Sequence, residues 1–353
     1  MNKVRVIMWG LGNMGSGMAK ALLERSGVEV VGAIGKNPAK IGKDLGETLG
    51  LGRIGVVISN DAADVLMNTQ ADVVLHSTDS FVKTVHEEII LCCDCGKNVI
   101  TIAEEMAYPQ GLDPELAARI DEAARANGVS VLGTGVNPGF MMDMLVAAVS
   151  GSCLRVDSVK AARINDLSPF GPTVMKTQGV GSTVEEFMSG VAAGTIVGHI
   201  GFQQSARMIA EAIGWEIARI DETRAPIISN VYRETPCVKV QPGMVAGCRH
   251  CAKAYDKAGK LLIELEHPQQ IHPHLENVDT GDYIWVYGDP NMQFANKPEC
   301  PGGKGTMATA INMIPQIINA APGLKTMLDL PVISAIMGDY RVKINHGDAE
   351  CCC

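Results

Sequence analysis

The sequence contains no apolar stretch of the roughly 18 residues that a membrane-spanning helix needs, and no excess of basic charge. Its 39 acidic and 30 basic residues give a formal net charge of -9, the wrong sign for a surface that binds nucleic acid or an anionic membrane. No small-residue cleavage site follows the short apolar run of MNKVRVIMWGLG, so a signal peptide is not expected. The eleven cysteines lack the paired spacing of a small secreted disulfide framework, which predicts reduced thiols in a cytoplasmic protein. Cys248-Arg-His-Cys251 is half of a zinc ribbon, but no second CxxC stands at ribbon spacing. It reads as ordinary thiols in a hairpin, and no metal is expected. Cys351, Cys352 and Cys353 lack the C-a-a-X pattern of prenylation and carry no assigned role. A small molecule is left as the expected partner.

The 353 residues are 46% hydrophobic and 20% charged, a globular composition long enough for two domains. The first 135 residues alternate β-branched runs with helical spacing. Strands are predicted at residues 4–9, 28–34, 56–59, 73–77, 98–102 and 130–133. Helices are predicted at residues 15–26, 61–68, 82–95 and 114–127. This is the pattern of an α/β fold, a Rossmann-type doubly wound parallel sheet, assigned here to residues 1–150 as the dinucleotide-binding domain.

From about Leu154 longer strands no longer alternate with helices: 158–164, 217–232, 244–255, 260–267 and 280–287, with helical spacing at 184–193 and 201–213. These predict a second α+β, mainly antiparallel domain over residues 151–305, for substrate binding and dimerisation. Helices of residues 306–353, with one long helix at 306–320, are expected to return to the first domain. An open second sheet suggests a homodimer.

Gly10-Leu11-Gly12-Asn13-Met14-Gly15 matches G-x-G-x-x-G and sits directly after a strand and at the start of a helix. There Gly10 permits the turn, Gly12 lets the backbone approach a pyrophosphate, and Gly15 allows close helix packing, while the helix N-terminus supplies N–H donors. A nicotinamide dinucleotide is the expected cofactor. Enzymes that use NAD usually end the second strand with Asp or Glu for the ribose 2′-hydroxyl. The segment Ala33-Ile34-Gly35-Lys36-Asn37 has no carboxylate. Lys36, with Lys40 and Lys43 nearby, offers a cation to a 2′-phosphate, so NADP is expected, with NAD also accepted. Ser77 and Thr78, at the end of the fourth strand, are expected near the nicotinamide ribose.

Reacting groups in such sheets gather beyond the carboxyl ends of the strands. The fifth strand leads into Ala103-Glu104-Glu105-Met106, a carboxylate pair. The sixth leads into Gly135-Val136-Asn137-Pro138-Gly139, where Asn137 and Pro138 are candidate cofactor contacts. Burial and a neighbouring carboxylate raise a carboxyl pKa, which suits a general base. Glu104 is the expected base because it follows the strand directly. A register error of one residue would make it Glu105.

The chain resembles the 2,4-diaminopentanoate dehydrogenase family, and more broadly the amine dehydrogenases and the dihydrodipicolinate reductase group. The resemblance spans nearly the whole chain and rests on GLGNMG, ITIAEEMAYP, GTGVNPGF, GHIGFQQS and TAINMIPQIINAAPGLKTMLDLP. It implies oxidative deamination of 2,4-diaminopentanoate at C4, giving 2-amino-4-oxopentanoate and ammonia with NAD(P) as hydride acceptor, in ornithine fermentation. It also puts the catalytic carboxylate at Glu104. The basic cluster with which the reductases hold a dicarboxylate has no match here.

A substrate of that kind carries a C1 carboxylate and a C2 ammonium. Arg163, Asn165 and His199 are the candidates to bind it, with Arg163 or His199 facing the carboxylate. His272 and His274 in IHPHLEN read as loop residues. Two alternatives stay open: the same fold acting on another small amino substrate, and a dinucleotide sensor without turnover. A sensor has no use for the carboxylates at 104 and 105.

Overall fold

The computed structural model describes residues 2–345, so Cys351, Cys352 and Cys353 lie outside the described residues. The chain divides into two units, Met1–Phe140 with Gly302–Cys353, and Met141–Pro301.

The first unit begins β1 (Val4–Trp9), α1 (Asn13–Leu23), β2 (Val28–Ile34), α2 (Leu45–Leu49), β3 (Ile58–Ser59), α3 (Ala62–Asn68), β4 (Val73–His76), α4 (Val82–Asp94), β5 (Asn98–Thr101), α5 (Pro114–Ala126) and β6 (Ser130–Gly133). Short polar side chains fix the helix starts. Asp61 accepts from Asp64 N–H at the head of α3, and Asp113 accepts from Leu116 N–H at the head of α5, with Pro114 in its first turn. The short helix α2 has no sequence counterpart above. It is held by Asp44, whose carboxylate accepts from the N–H groups of Glu47, Ile54 and Gly55.

The second unit runs α6 (Met144–Ser150), β7 (Arg155–Asp166), α7 (Pro172–Thr177), α8 (Val184–Ala192), α9 (Phe202–Ile213), β8 (Arg219–Ile228), β9 (Arg233–Thr235), β10 (Val238–Val240), β11 (Val245–Tyr255), β12 (Leu261–Gln270), β13 (Gly281–Asp289) and β14 (Met292–Asn296). Its six-stranded sheet has the order β14-β13-β7-β12-β11-β8. Only β7 and β12 pair in parallel; the other neighbours are antiparallel. Met142, Val146, Phe202, Ala206 and Ile209 pack with Val159, Ala161, Ala252, Leu265 and Ile284 in one core. The unit therefore starts at Met141 rather than at 151, because α6 belongs to this core.

The strand expected at 217–232 spans only Arg219–Ile228. It breaks after Ile228, where buried Arg233 folds back to donate to Ser229 Oγ at 2.7 Å and to Gln270 Oε1 at 2.9 Å.

The chain then rejoins the first unit through α10 (Gly302–Asn312), α11 (Ile314–Asn319) and β15 (Gly323–Lys325). One helix was expected at 306–320. Two form because Pro315 has no N–H and occupies the first turn of a new helix. β15 adds a seventh strand beyond the six expected, parallel to β6. The sheet order β15-β6-β5-β4-β1-β2-β3 is parallel throughout. The α/β Rossmann-type sheet with a mainly antiparallel second domain is thus borne out. Val73, Val74, Leu75, Val99 and Ile100 are fully buried, the continuous apolar run expected of strands covered on both faces.

Candidate active site

The turn after β1 is shaped by the absence of side chains. Gly10 has φ +93, and a Cβ there would stand 2.3 Å from Ser77 O. A Cβ on Gly15 would stand 1.8 Å from Gly10 O. On Gly12 it would meet nothing within 4 Å, so that backbone faces open space. Gly12 is also the N-cap of α1 and supplies no capping side chain, leaving first-turn N–H groups available to an anion.

The space is a cavity of ≈ 490 Å³ lined by Gly10, Leu11, Gly12, Asn13, Lys36, Ser77 and Thr78, together with Trp9, Ser16, Gly35, Asn37 and Lys40. Met14, Gly15, Asn137 and Pro138, also expected at the cofactor, are not among the lining residues. Ser77 Oγ donates to Gly10 O at 3.0 Å and ties the ends of β1 and β4 together.

Behind this wall is a polar network. Lys36 Nζ lies 2.9 Å from Glu88 Oε1 on α4. The other oxygen of Glu88 accepts from Thr78 Oγ1 at 2.6 Å and from His76 Nε2 at 2.9 Å. His76 is fully buried, and its Nδ1 meets Thr101 Oγ1 at 3.0 Å. Burial pushes the Glu88 carboxyl up, but the bonds from His76, Thr78 and Lys36 outweigh it and hold the pKa at about 2.

Beyond β5 the two candidate carboxylates have different surroundings. Glu105 Oε2 accepts from Val82 N–H at 2.8 Å and so closes the N-terminus of α4, which Phe81 cannot cap. Burial raises the Glu105 pKa, opposed by that bond. Glu104 is half-buried, and its carboxylate has no hydrogen-bond or ion-pair partner among the described residues. Beyond β6, Asn137 Oδ1 and Nδ2 are both buried without a partner among the described residues. An unpaired amide acceptor beside an unpaired amide donor is the complement of a carboxamide. The turn is pinned by Val136 N–H, which donates to Thr306 Oγ1 of α10 at 3.1 Å.

In the second unit Arg163 and Asn165 stand two residues apart on β7 and are almost fully buried. Arg163 is no surface ion pair. It bonds Asp282 Oδ1 at 2.6 Å and donates to Cys300 O, which leaves other guanidinium N–H groups of its five. Asn165 Oδ1 accepts from His267 Nε2 at 3.3 Å, so His267 Nδ1, buried without a partner among the described residues, is an acceptor. His199 stacks edge-on at 4.9 Å from His267, and its Nε2 is also buried and, among the described residues, unpartnered. Burial, with His250 and Arg163 adding to it, lowers the His199 pKa to about 3, and His267 is lowered likewise. His199 N–H donates to His250 Nδ1 at 3.0 Å, which fixes the His250 proton on Nε2, facing Glu222 at 3.0 Å.

His272 and His274 meet Asp166, with ligand atoms within 4.8 Å of one another. His272 Nε2 also lies 2.8 Å from Glu234 O. Cys248 and Cys251 are three residues apart on β11 and so point to opposite faces of the sheet.

A family profile for the 2,4-diaminopentanoate dehydrogenase C-terminal domain matches residues 140–346, and one for the dihydrodipicolinate reductase N-terminus matches residues 4–130. The chain is 50% identical to 2,4-diaminopentanoate dehydrogenase of Acetoanaerobium sticklandii over 98% of both chains. The chain belongs to the 2,4-diaminopentanoate dehydrogenase family. It is 24% identical to an amine dehydrogenase of Streptomyces virginiae over 94% of this chain and 98% of that one. A solved amine dehydrogenase from Mycobacterium smegmatis superposes with a TM-score of 0.83 at 30% identity, covering 95% of this chain and 98% of the other. The resemblance drawn from ITIAEEMAYP and the C-terminal TAINMIPQ segment is thereby borne out.

Three residues of this family member escaped the sequence reading. His267 carried a legible signal: in Ile263-Glu264-Leu265-Glu266-His267 it takes the inward, apolar phase of the alternation. His76 and Glu88 carried none, because only the fold brings a strand end and a helix turn together.

Proposed function

We propose that this chain oxidises 2,4-diaminopentanoate at C4 with NAD or NADP, releasing 2-amino-4-oxopentanoate and ammonia. The observation that carries the reading is the unengaged, half-buried carboxylate of Glu104 at the carboxyl end of β5, beside a Glu105 already committed to α4. Family membership supports the substrate.

The residues suit a dinucleotide. The Gly12 backbone and the uncapped start of α1 would hold the pyrophosphate, Lys36 and the Ser77-Thr78 turn the riboses, and Asn137 with Pro138 the carboxamide. The bound nicotinamide supplies a two-electron hydride acceptor.

Glu104 takes a proton from the C4 ammonium, since only a neutral amine has the lone pair that lets C4 give up hydride. Glu104 passes that proton to solvent, then draws a proton from the water that adds to the resulting iminium carbon and returns it to the amine nitrogen, and the carbinolamine collapses to the ketone as the C–N bond breaks and its hydroxyl proton leaves with the ammonia. The balance is one ammonium substrate, one oxidised cofactor and one water giving one ketone, one ammonium, one reduced cofactor and one proton. Arg163, Asn165 and His199 bind the C1 carboxylate and C2 ammonium. Arg163 suits an anion because Asp282 and Cys300 O occupy only part of its donor set.

The same reading makes the chain a cytoplasmic homodimer in ornithine degradation. Its supports are the free state of the cysteines from Cys92 to Cys300 and the ten-residue edge strand β8. The test is NAD(P)H formation and ammonia release with 2,4-diaminopentanoate, beside ornithine, alanine and simple amines. Reduced cofactor with the diamine and far less with the others is expected. No reduced cofactor from any of them overturns the reading.

A further inference from the structure

The end of β2 carries no carboxylate for the 2′ position of the adenosine ribose, yet the fold delivers one from elsewhere. Glu88 belongs to α4, 52 residues away from Lys36 in sequence, and the two stand 2.9 Å apart at the edge of the dinucleotide cavity. Their freedoms are unequal. The Lys36 side chain is 79% exposed and Glu88 only 19%. Glu88 is held by Thr78 at 2.6 Å and by buried His76 at 2.9 Å. His76 is braced by the Thr101 hydroxyl on one side and by the Trp9 ring, 5.5 Å away edge-on, on the other. A fixed anion thus holds a mobile cation. Lys40 also lines the cavity, where its ammonium donates one of its three N–H bonds to Leu11 O at 2.7 Å.

We propose that the Lys36–Glu88 pair sets cofactor preference: Glu88 neutralises Lys36 beside the ribose 2′ position, and a 2′-phosphate draws Lys36 away. This rests on the dinucleotide reading above. With an unphosphorylated ribose the cation stays paired and costs nothing. A doubly charged 2′-phosphate competes for Lys36 against one carboxylate, and the gain in binding is reduced by the ion pair that is broken. An exposed pair is worth up to about 1 kcal/mol, so Glu88 trims the preference for the phosphorylated cofactor without abolishing it. The chain accepts both dinucleotides for this reason.

The test is calorimetric titration of the full chain with ADP-ribose and with 2′-phospho-ADP-ribose, which needs no turnover. It uses the wild type, Glu88→Gln, Lys36→Gln and the double variant. Glu88→Gln frees Lys36, and the affinity ratio of phosphorylated to plain fragment should rise about fivefold. Lys36→Gln, at an exposed position that folding does not depend on, should lower the ratio at least fivefold. Glu88→Gln should move the ratio less than twofold in the Lys36→Gln background. A ratio indifferent to Glu88→Gln, or shifted equally with and without Lys36, overturns this proposal alone. Absence of binding by both fragments overturns the dinucleotide reading, and this proposal with it.

Discussion

Exchanging Glu104 and then Glu105 for Gln separates two carboxylates that sequence position cannot. Glutamine keeps the size and loses the ability to accept a proton. At Glu104, which has no partner among the described residues, nothing in the fold depends on the charge. Its removal should therefore leave stability and NADH affinity within experimental error, while kcat falls by the ~10²–10⁴ that a positioned general base contributes. At Glu105 the carboxylate accepts Val82 N–H at 2.8 Å at the head of α4. Losing that cap should cost about 1 kcal/mol, a drop of roughly 2–4 °C in melting temperature for a domain of ordinary size. Catalysis should stay within tenfold. Stopped-flow NADPH formation, fluorescence titration of NADH and calorimetry on the same preparations give all three readouts. A Glu105→Gln protein that melts normally but cannot turn over, beside an active Glu104→Gln, refutes the assignment.

Asn137→Ala should weaken NADH binding about tenfold, the scale of two lost hydrogen bonds, and leave stability level or slightly higher, since no protein partner is stranded; a fall in melting temperature with unchanged affinity counts against it. Gly12→Ala and Gly15→Ala should part company. The first adds a methyl to open space, so it weakens dinucleotide binding without unfolding the chain. The second drives a methyl to 1.8 Å from a backbone oxygen and should destabilise it in thermal melts. His199 has a folded pKa of about 3 against an ordinary 6.5. The unfolded chain therefore takes up the proton first, and stability is lost as pH falls from about 6.5 toward 3. His199→Gln should flatten the pH dependence of the urea midpoint over that window by as much as about 1.4 kcal/mol per pH unit. An unaltered slope would show that His199 is solvated.

The first sheet was legible because each of its cues is local. A β-branched run, a glycine turn after Trp9 and apolar spacing from Met18 to Leu22 each lie within a dozen residues, and a covered parallel sheet leaves its strands no polar phase to confuse the period. What escaped is what the chain assembles from a distance. β15 is three residues long and exists as a strand only because β6 offers it a free edge. The boundary at Met141 depends on which core α6 enters, and its sequence MLVAAVS would suit either. In the second unit Arg163, Asn165 and His267 take the buried phase of their strands, and a polar residue on an otherwise apolar phase is the signal that was there to follow for His267.

Adjacent residues with one side-chain chemistry make the limit sharpest. Glu104 and Glu105 have the same local sequence, the same nearby strand and the same neighbouring charges, so propensity and pattern treat them alike. They differ because the chain turns into a 3₁₀ helix at Glu104–Ala107, and that turn aims one carboxylate at the bare head of α4. Phe81 at the N-cap has no acceptor to offer, so the helix needs a carboxylate from elsewhere, and Glu105 fills that role. In the proposed reaction the general base is then the neighbour the helix did not take. The choice between them is decided by a capping defect 23 residues upstream, which is why it becomes visible only when α4 and the β5 end are side by side.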